Sequence, residues 1–133
     1  MSEPPTGSYA SSFRDLRVYQ SALDLAHRIF LLSGSFPKDE RYSLTDQIRR
    51  SSRSISANIA EAWGKRRYPA AFVAKLSDSL GETFETQTWL DHSLRCGYML
   101  ETQHNDLDAI CVHIGAMLRS MENKAESFSG PVS

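Results

Sequence analysis

Basic side chains crowd into one short stretch of this 133-residue chain. Residues 41–67 hold Arg41, Arg49, Arg50, Arg53, Lys65, Arg66 and Arg67 against only Asp46 and Glu61. That stretch carries +5, the remainder carries −6, and the whole chain is −1. A slightly acidic protein has no global attraction for nucleic acid, so any such binding has to be local. The local candidates are Arg50 and the run Lys65-Arg66-Arg67, which sits beside the aromatic Tyr68. Phosphate binding needs several clustered cations, and repetition around an oligomer multiplies them.

Other chemistries find less support. Glu61, Glu82 and Glu85 could be carboxylate ligands, and Glu101-Thr102-Gln103-His104 has Glu-x-x-His spacing. A di-metal bundle needs two such motifs on core-facing helices and two further glutamates. Only one motif is present, and it falls at a helix start. His27, His92 and His113 fall off the apolar stripes. No Gly-x-Ser-x-Gly elbow and no Gly-rich phosphate loop is found. Cys96 and Cys111 lack Cys-x-x-Cys spacing and read as reduced core thiols. The expectation is a protein that is not an enzyme, with no catalytic residue, metal or cofactor.

These residues need elements to position them. Residues 1–12 are rich in Ser, Pro and Gly and read as a disordered arm, with 127–133 as a matching tail. Between them, 13–126 reads as one domain. Asp15 can cap a first helix running to about Ser33, with Val18, Tyr19, Ala22, Leu23, Ala26, Ile29 and Phe30 inward. Gly34-Ser35-Phe36-Pro37 stops it. A second helix from near Ser43 to about Gly64 turns Leu44, Ile48, Ile55, Ile59 and Ala62 to the core. Pro69 suits the entry of a third helix, which runs from about Ala70 to Cys96. Its inward residues are Val73, Leu76, Leu80, Phe84, Leu90 and Leu94. Gly97 ends it. A fourth helix begins near Thr102 or Asn105, with Leu107, Ile110, Cys111, Ile114, Met117, Leu118 and Met121 inward. Four amphipathic helices on short connections predict an all-α, antiparallel up-down four-helix bundle.

The longest apolar run, Ile29-Phe30-Leu31-Leu32, is far short of the ~20 residues a bilayer span needs. The N-terminus lacks the basic and apolar regions of a signal peptide, so the expected compartment is the cytoplasm, with no membrane partner.

Two helices carry a second working face. On a wheel, Arg49, Arg53, Ser56, Ala57, Ala60 and Gly64 lie opposite the core stripe of the second helix. Gln47, Arg50, Ser54, Asn58 and Glu61 form a polar row beside that stripe. The third helix gathers Asp78, Glu82, Glu85 and Trp89 on its outer face. A small, basic strip and an acidic, Trp-bearing strip are different surfaces of one chain. Contact between different patches is head-to-tail and can close a ring. The expected oligomer-interface residues are therefore Arg49, Arg53, Asn58, Glu61, Asp78, Glu82, Glu85 and Trp89. The glutamates need pairing by Arg49, Arg50 or Arg53, across helices or between subunits. With Arg49 and Arg53 turned to an acidic neighbour, Arg50 and Lys65–Arg67 are the cations expected to be free for a partner.

The run from Arg49 to Glu61, RRSSRSISANIAE, resembles an "RR-x-x-x-SI-x-x-NIAE" signature. It is that of the four-helix-bundle family whose founding members are encoded in intervening sequences of bacterial 23S ribosomal RNA genes, also labelled S23 ribosomal proteins. Phe13-Arg14-Asp15-Leu16 is similar to the family's opening "F-x-D-L". The segment Phe36–Leu44 is similar to its "FP-x-x-E-x-Y-x-L" loop, and Ser79–Gln87 to a third-helix run with glutamates three apart. Ala62 departs from the Gly usual after "NIAE". The resemblance spans about residues 13–121. It implies an up-down bundle assembled as a homopentameric ring, bacterial, without known enzymatic activity. It also implies a likeness of architecture to the accessory protein of diversity-generating retroelements, which works with a reverse transcriptase and RNA. The functional expectation is a ring-forming scaffold or adaptor that binds itself and RNA. A purely protein-binding adaptor is the alternative.

Overall fold

The computed structural model describes residues 10–129. Four long helices, α1 (Arg17–Ser33), α2 (Leu44–Gly64), α3 (Pro69–Arg95) and α4 (Glu101–Asn123), precede a short α5 (Ala125–Ser129). No strand occurs among the described residues. Each long helix packs on the next, and α1 packs on α4, which closes a four-helix bundle. Cross-helix partners give the direction. As numbers rise along α2 they fall along α3, from Arg50 with Glu85 through Ile55 with Ser79 to Glu61 with Lys75. The α3–α4 pair runs the same way, from Gln87 with Asp108 to Asp91 with His104. These two adjacent pairs are antiparallel, consistent with an up-down bundle.

Local signals explain the ends. Ser12 and Asp15 form a capping box, in which the Ser11 and Ser12 N–H groups donate to Asp15 Oδ2 at 3.0 and 3.1 Å. The Ser11 hydroxyl, which donates to the same oxygen at 2.8 Å, and then those backbone bonds lower the Asp15 carboxyl pKa. Asp15 thus closes a 3₁₀ turn, Phe13–Asp15, rather than capping α1 as expected. Pro69 is the first residue of α3, where its missing N–H costs nothing. Gly97 ends α3 at φ 77°, and Tyr98 N–H reaches back to Ser93 O at 2.9 Å. This is a Schellman closure, which favours glycine for its left-handed residue.

The core departs from the sequence expectation in α1 and α3. Leu23, Phe30 and Phe84 are exposed, while Leu25 and Phe72 are fully buried. In α3 the inward stripe is Phe72, Leu76, Ser79, Thr83, Thr86, Leu90 and Ser93. Small hydroxyl residues hold most of that seam, so hydropathy points to the wrong side of the helix. Their hydroxyls are satisfied. Ser79 Oγ donates to Ile55 O across the interface at 2.9 Å, and Thr83 and Ser93 donate to carbonyls one turn back. Thr86 Oγ1 lies 2.9 Å from Ser51 Oγ and 2.8 Å from Glu82 O. The small seam lets α2 and α3 pack closely along their length. In α1, Val18, Ala22, Leu25, Ile29 and Ser33 form the buried line.

The lower end of the bundle extends past the expected domain boundary at residue 126. Phe128 of α5 is buried with its ring 5.2 Å from Phe72, so residues 127–129 belong to the fold. At the other terminus Ala10 is also buried. The rest of the expected arm, 1–9, and of the tail, 130–133, lies outside the described residues.

Candidate nucleic-acid interface

The antiparallel register of α2 and α3 decides which charges meet. Arg50 reaches across to α3, where its guanidinium pairs with Glu85 and, at 3.5 Å, with Glu82. Its Nε lies 3.4 Å from Gln47 Oε1 on its own helix. Arg50 was expected to be free for a partner, and the structure corrects this: it is the arginine that pairs the two glutamates. Two to three turns further along the seam, Lys75 Nζ stands 3.0 Å from Glu61 and 3.4 Å from Asp78. The hydrogen bond to Glu61, with a smaller one to Asp78, raises the Lys75 pKa.

Four of the expected interface residues come together. Asn58, Asp78, Glu82 and Glu85, with Ser77 and Gly81, line a shallow cleft of about 420 Å³ between α2 and α3. Asn58 Nδ2 donates to Ser54 O at 3.0 Å. Glu61 joins this group through Lys75. The other three lie elsewhere. Arg49 Nε donates to Ser33 Oγ at 2.8 Å, and its Nη2 to Phe30 O at 3.3 Å. The guanidiniums of Arg49 and Arg53 lie 4.6 and 5.5 Å from the Phe30 ring centroid. Part of the strip read as a back face of α2 is therefore covered by α1, and Ser56 of that strip is buried, as is Ser52 beside it. Trp89 is half-buried against the core, its ring 5.6 Å from that of His92.

The turn after α2 contrasts with the seam. The Arg66 guanidinium sits 4.2 Å over Trp63, and its Nη1 donates to Trp63 O at 2.9 Å. Arg66 therefore caps the C-terminal end of α2, where a cation also suits the helix dipole. Lys65 and Arg67 are exposed, and neither has an acidic partner among the described residues. Tyr68, the residue before α3, is 70% exposed. Of the four cations proposed for nucleic acid, two are committed to the fold and two remain presented to solvent.

Several partners escaped the sequence reading. Lys75, three residues before Asp78, could have been found from helical spacing. Phe30 and Trp63, the rings beneath the arginines, could be found only from the packing. His104 is not placed as part of a metal set. Its Nε2 lies 2.8 Å from Asp91, and that hydrogen bond raises its pKa. Among the described residues, no three His, Cys, Asp or Glu side chains gather as a metal site needs. Of the two cysteines read as core thiols, one is in the core and the other is not. Cys111 is buried, and burial, with Asp108 nearby, pushes its thiol up to about 12, whereas Cys96 is exposed. No helix among the described residues is long and apolar enough to cross a membrane.

Comparison with known proteins follows the fold. A search of curated proteins finds no match. Among solved structures, a protein of unknown function from the S23 ribosomal protein family of Bacteroides thetaiotaomicron VPI-5482 is 31% identical, with a TM-score of 0.71. The likeness covers 79% of this chain and 97% of that one. Residues 14–120 match the sequence model described as 23S rRNA-intervening sequence protein. That span takes in all four long helices apart from the last residues of α4, and with it the chain belongs to the 23S rRNA-intervening sequence protein family.

Proposed function

We propose that this protein is a non-catalytic, self-assembling scaffold that holds RNA on the exposed turn Lys65–Tyr68. One observation carries the reading. Lys65 and Arg67 are exposed without acidic partners among the described residues, whereas Arg49, Arg50, Arg53, Arg66 and Lys75 are engaged by α1, α3 or their own helix. Lys38, Arg95 and Lys124 are also exposed and unpaired but stand singly, whereas two unpaired cations within three residues raise the local potential for phosphate. Self-association supplies the repetition a two-cation site needs for useful affinity. The acidic cleft Asp78–Glu85 and the Arg53–Phe30 surface are oppositely charged and distinct, which suits head-to-tail contact in a cyclic homo-oligomer. A pentamer is the assembly the family resemblance implies.

Fluorescence anisotropy with a structured RNA at two salt concentrations tests the binding, and light scattering after size exclusion tests the assembly. Salt-sensitive binding by a species several subunits in mass is the expected result. Salt-insensitive or absent binding rejects the RNA role, and a monomer at high concentration rejects the assembly.

A second reading, a protein-only adaptor, is favoured by the exposed apolar side chains Leu23 and Leu31 of α1 and Val112 of α4. Co-purification with and without nuclease separates the two. Partners that survive nuclease favour the adaptor.

A further inference from the structure

We infer that the Lys65–Tyr68 turn takes an unpaired RNA segment, one base stacked on the Tyr68 ring and the flanking phosphates held by Lys65 and Arg67. The inference rests on the RNA-binding reading and specifies which form of RNA the site accepts.

The Tyr68 ring is the starting point. It is largely exposed, and among the described residues its side chain has no hydrogen bond, ring contact or cation over its face. Its backbone is fixed on both sides. Tyr68 N–H donates to Lys65 O, and its carbonyl accepts from Phe72 N–H, each at 2.9 Å. Pro69 follows and locks the entry to α3. A bare aromatic face on a rigid backbone is a platform whose ordering cost is met in the free protein. Arg66 adds to the rigidity, since its stacking on Trp63 and its bond to Trp63 O tie down the middle of the turn.

Bases in a duplex are already stacked on one another and offer an outside ring nothing to stack on. Unpaired bases are splayed out and stack on aromatic side chains while nearby cations track the backbone. An exposed ring directly after Arg67 and three residues after Lys65, in one tight turn, suits that second geometry.

The opposite end of the bundle supplies an internal control. Tyr42, in the loop between α1 and α2, is 85% exposed, more than Tyr68. The Arg41 guanidinium already lies 5.6 Å from its ring centroid, and Asp39, Glu40 and Asp46 are its sequence neighbours. One face of that ring is already taken by a guanidinium, and with Lys38 counted the local charges nearly cancel, so the loop offers neither a bare ring nor a net cationic cluster. Exposure alone therefore does not make the site.

The experiment measures binding of two probes to the full chain, an unstructured 12-residue oligouridylate and an RNA hairpin with a fully paired stem and a minimal loop. Wild type is expected to prefer the oligouridylate. Tyr68→Ala is expected to weaken that binding about 5- to 150-fold, Tyr68→Phe to restore it, and Tyr42→Ala to leave it unchanged. An upfield shift of the Tyr68 ring protons on binding gives a direct readout of stacking. Circular dichroism of each variant confirms the fold. Unaltered oligouridylate binding by Tyr68→Ala, or equal affinity for both probes, overturns the stacking site but leaves RNA binding standing. Absence of salt-sensitive binding to either probe overturns both.

Discussion

The α2–α3 seam and the turn that joins those two helices contain the same residue types, yet they use them oppositely. Along the seam Arg50 and Lys75 face Glu85, Glu82, Glu61 and Asp78, and every one of these charges has an opposite within reach. In the turn, Lys65 and Arg67 flank Arg66, and neither forms an ion pair among the described residues, Glu61 being held by Lys75. The seam fixes the register of two antiparallel helices, and the turn is what that register leaves over. Clustering of basic residues in a sequence is therefore a poor guide to a binding surface until the neighbouring helix is in place. A cation on a helix body can be neutralised from across a groove. A cation in a tight turn has no such neighbour.

This contrast makes substitutions in the seam costly for stability and those in the turn nearly silent. The largest effect is expected for Phe72→Ala, which empties a fully buried site and removes the partner of Phe128. A loss of about 3–5 kcal/mol in denaturant unfolding is expected. Thr86→Val keeps the shape of the seam but deletes its cross-helix hydroxyl contact, with an expected cost of about 1 kcal/mol in the same assay. Arg50→Ala removes a half-exposed pair and should cost about 1 kcal/mol or less, because solvent screens it. A loss larger than that of Phe72→Ala would mean that the charges rather than the buried stripe hold the helices together.

The smallest effect is a pH dependence at the far end of α3. His104 has a folded pKa raised above 6.5 by its bond to Asp91. A raised pKa stabilises the fold fully below the unfolded value, and the contribution disappears as pH rises through the folded value. The melting temperature should therefore fall between about pH 6.5 and the higher folded pKa, and His104→Gln should flatten that part of the profile. An unchanged profile would remove His104 from the α3–α4 contact.

Much of the architecture was legible in the sequence because it rests on breakers and periodicity. Gly34, Pro69 and Gly97 mark helix ends that the structure keeps, and the α2 and α4 stripes are buried or packed on the core. The α3 stripe was misplaced because Ser79, Thr83, Thr86 and Ser93 line the core with hydroxyls, whose burial is repaid by carbonyl acceptors that no hydropathy pattern reveals. Phe84 and Phe30 were placed inward because they fall at helical spacing with other apolar residues, yet both are exposed. The site was legible in its turn and illegible in its helix. Lys65, Arg67 and Tyr68 are local features, whereas the fate of Arg50 depends on Glu82 and Glu85, more than thirty residues away.

The central claim is that the turn cations bind phosphate and the seam cations do not. It is tested by the salt dependence of oligouridylate binding for wild type, Arg50→Ala and the double variant Lys65→Ala/Arg67→Ala. Each lost phosphate contact on a single strand should lower the slope of log affinity against log salt by about 0.7, so the double variant should lose about 1.4 per engaged subunit with its melting temperature unchanged. Arg50→Ala should keep the wild-type slope. A reduced slope in Arg50→Ala together with a wild-type slope in the double variant would contradict the account.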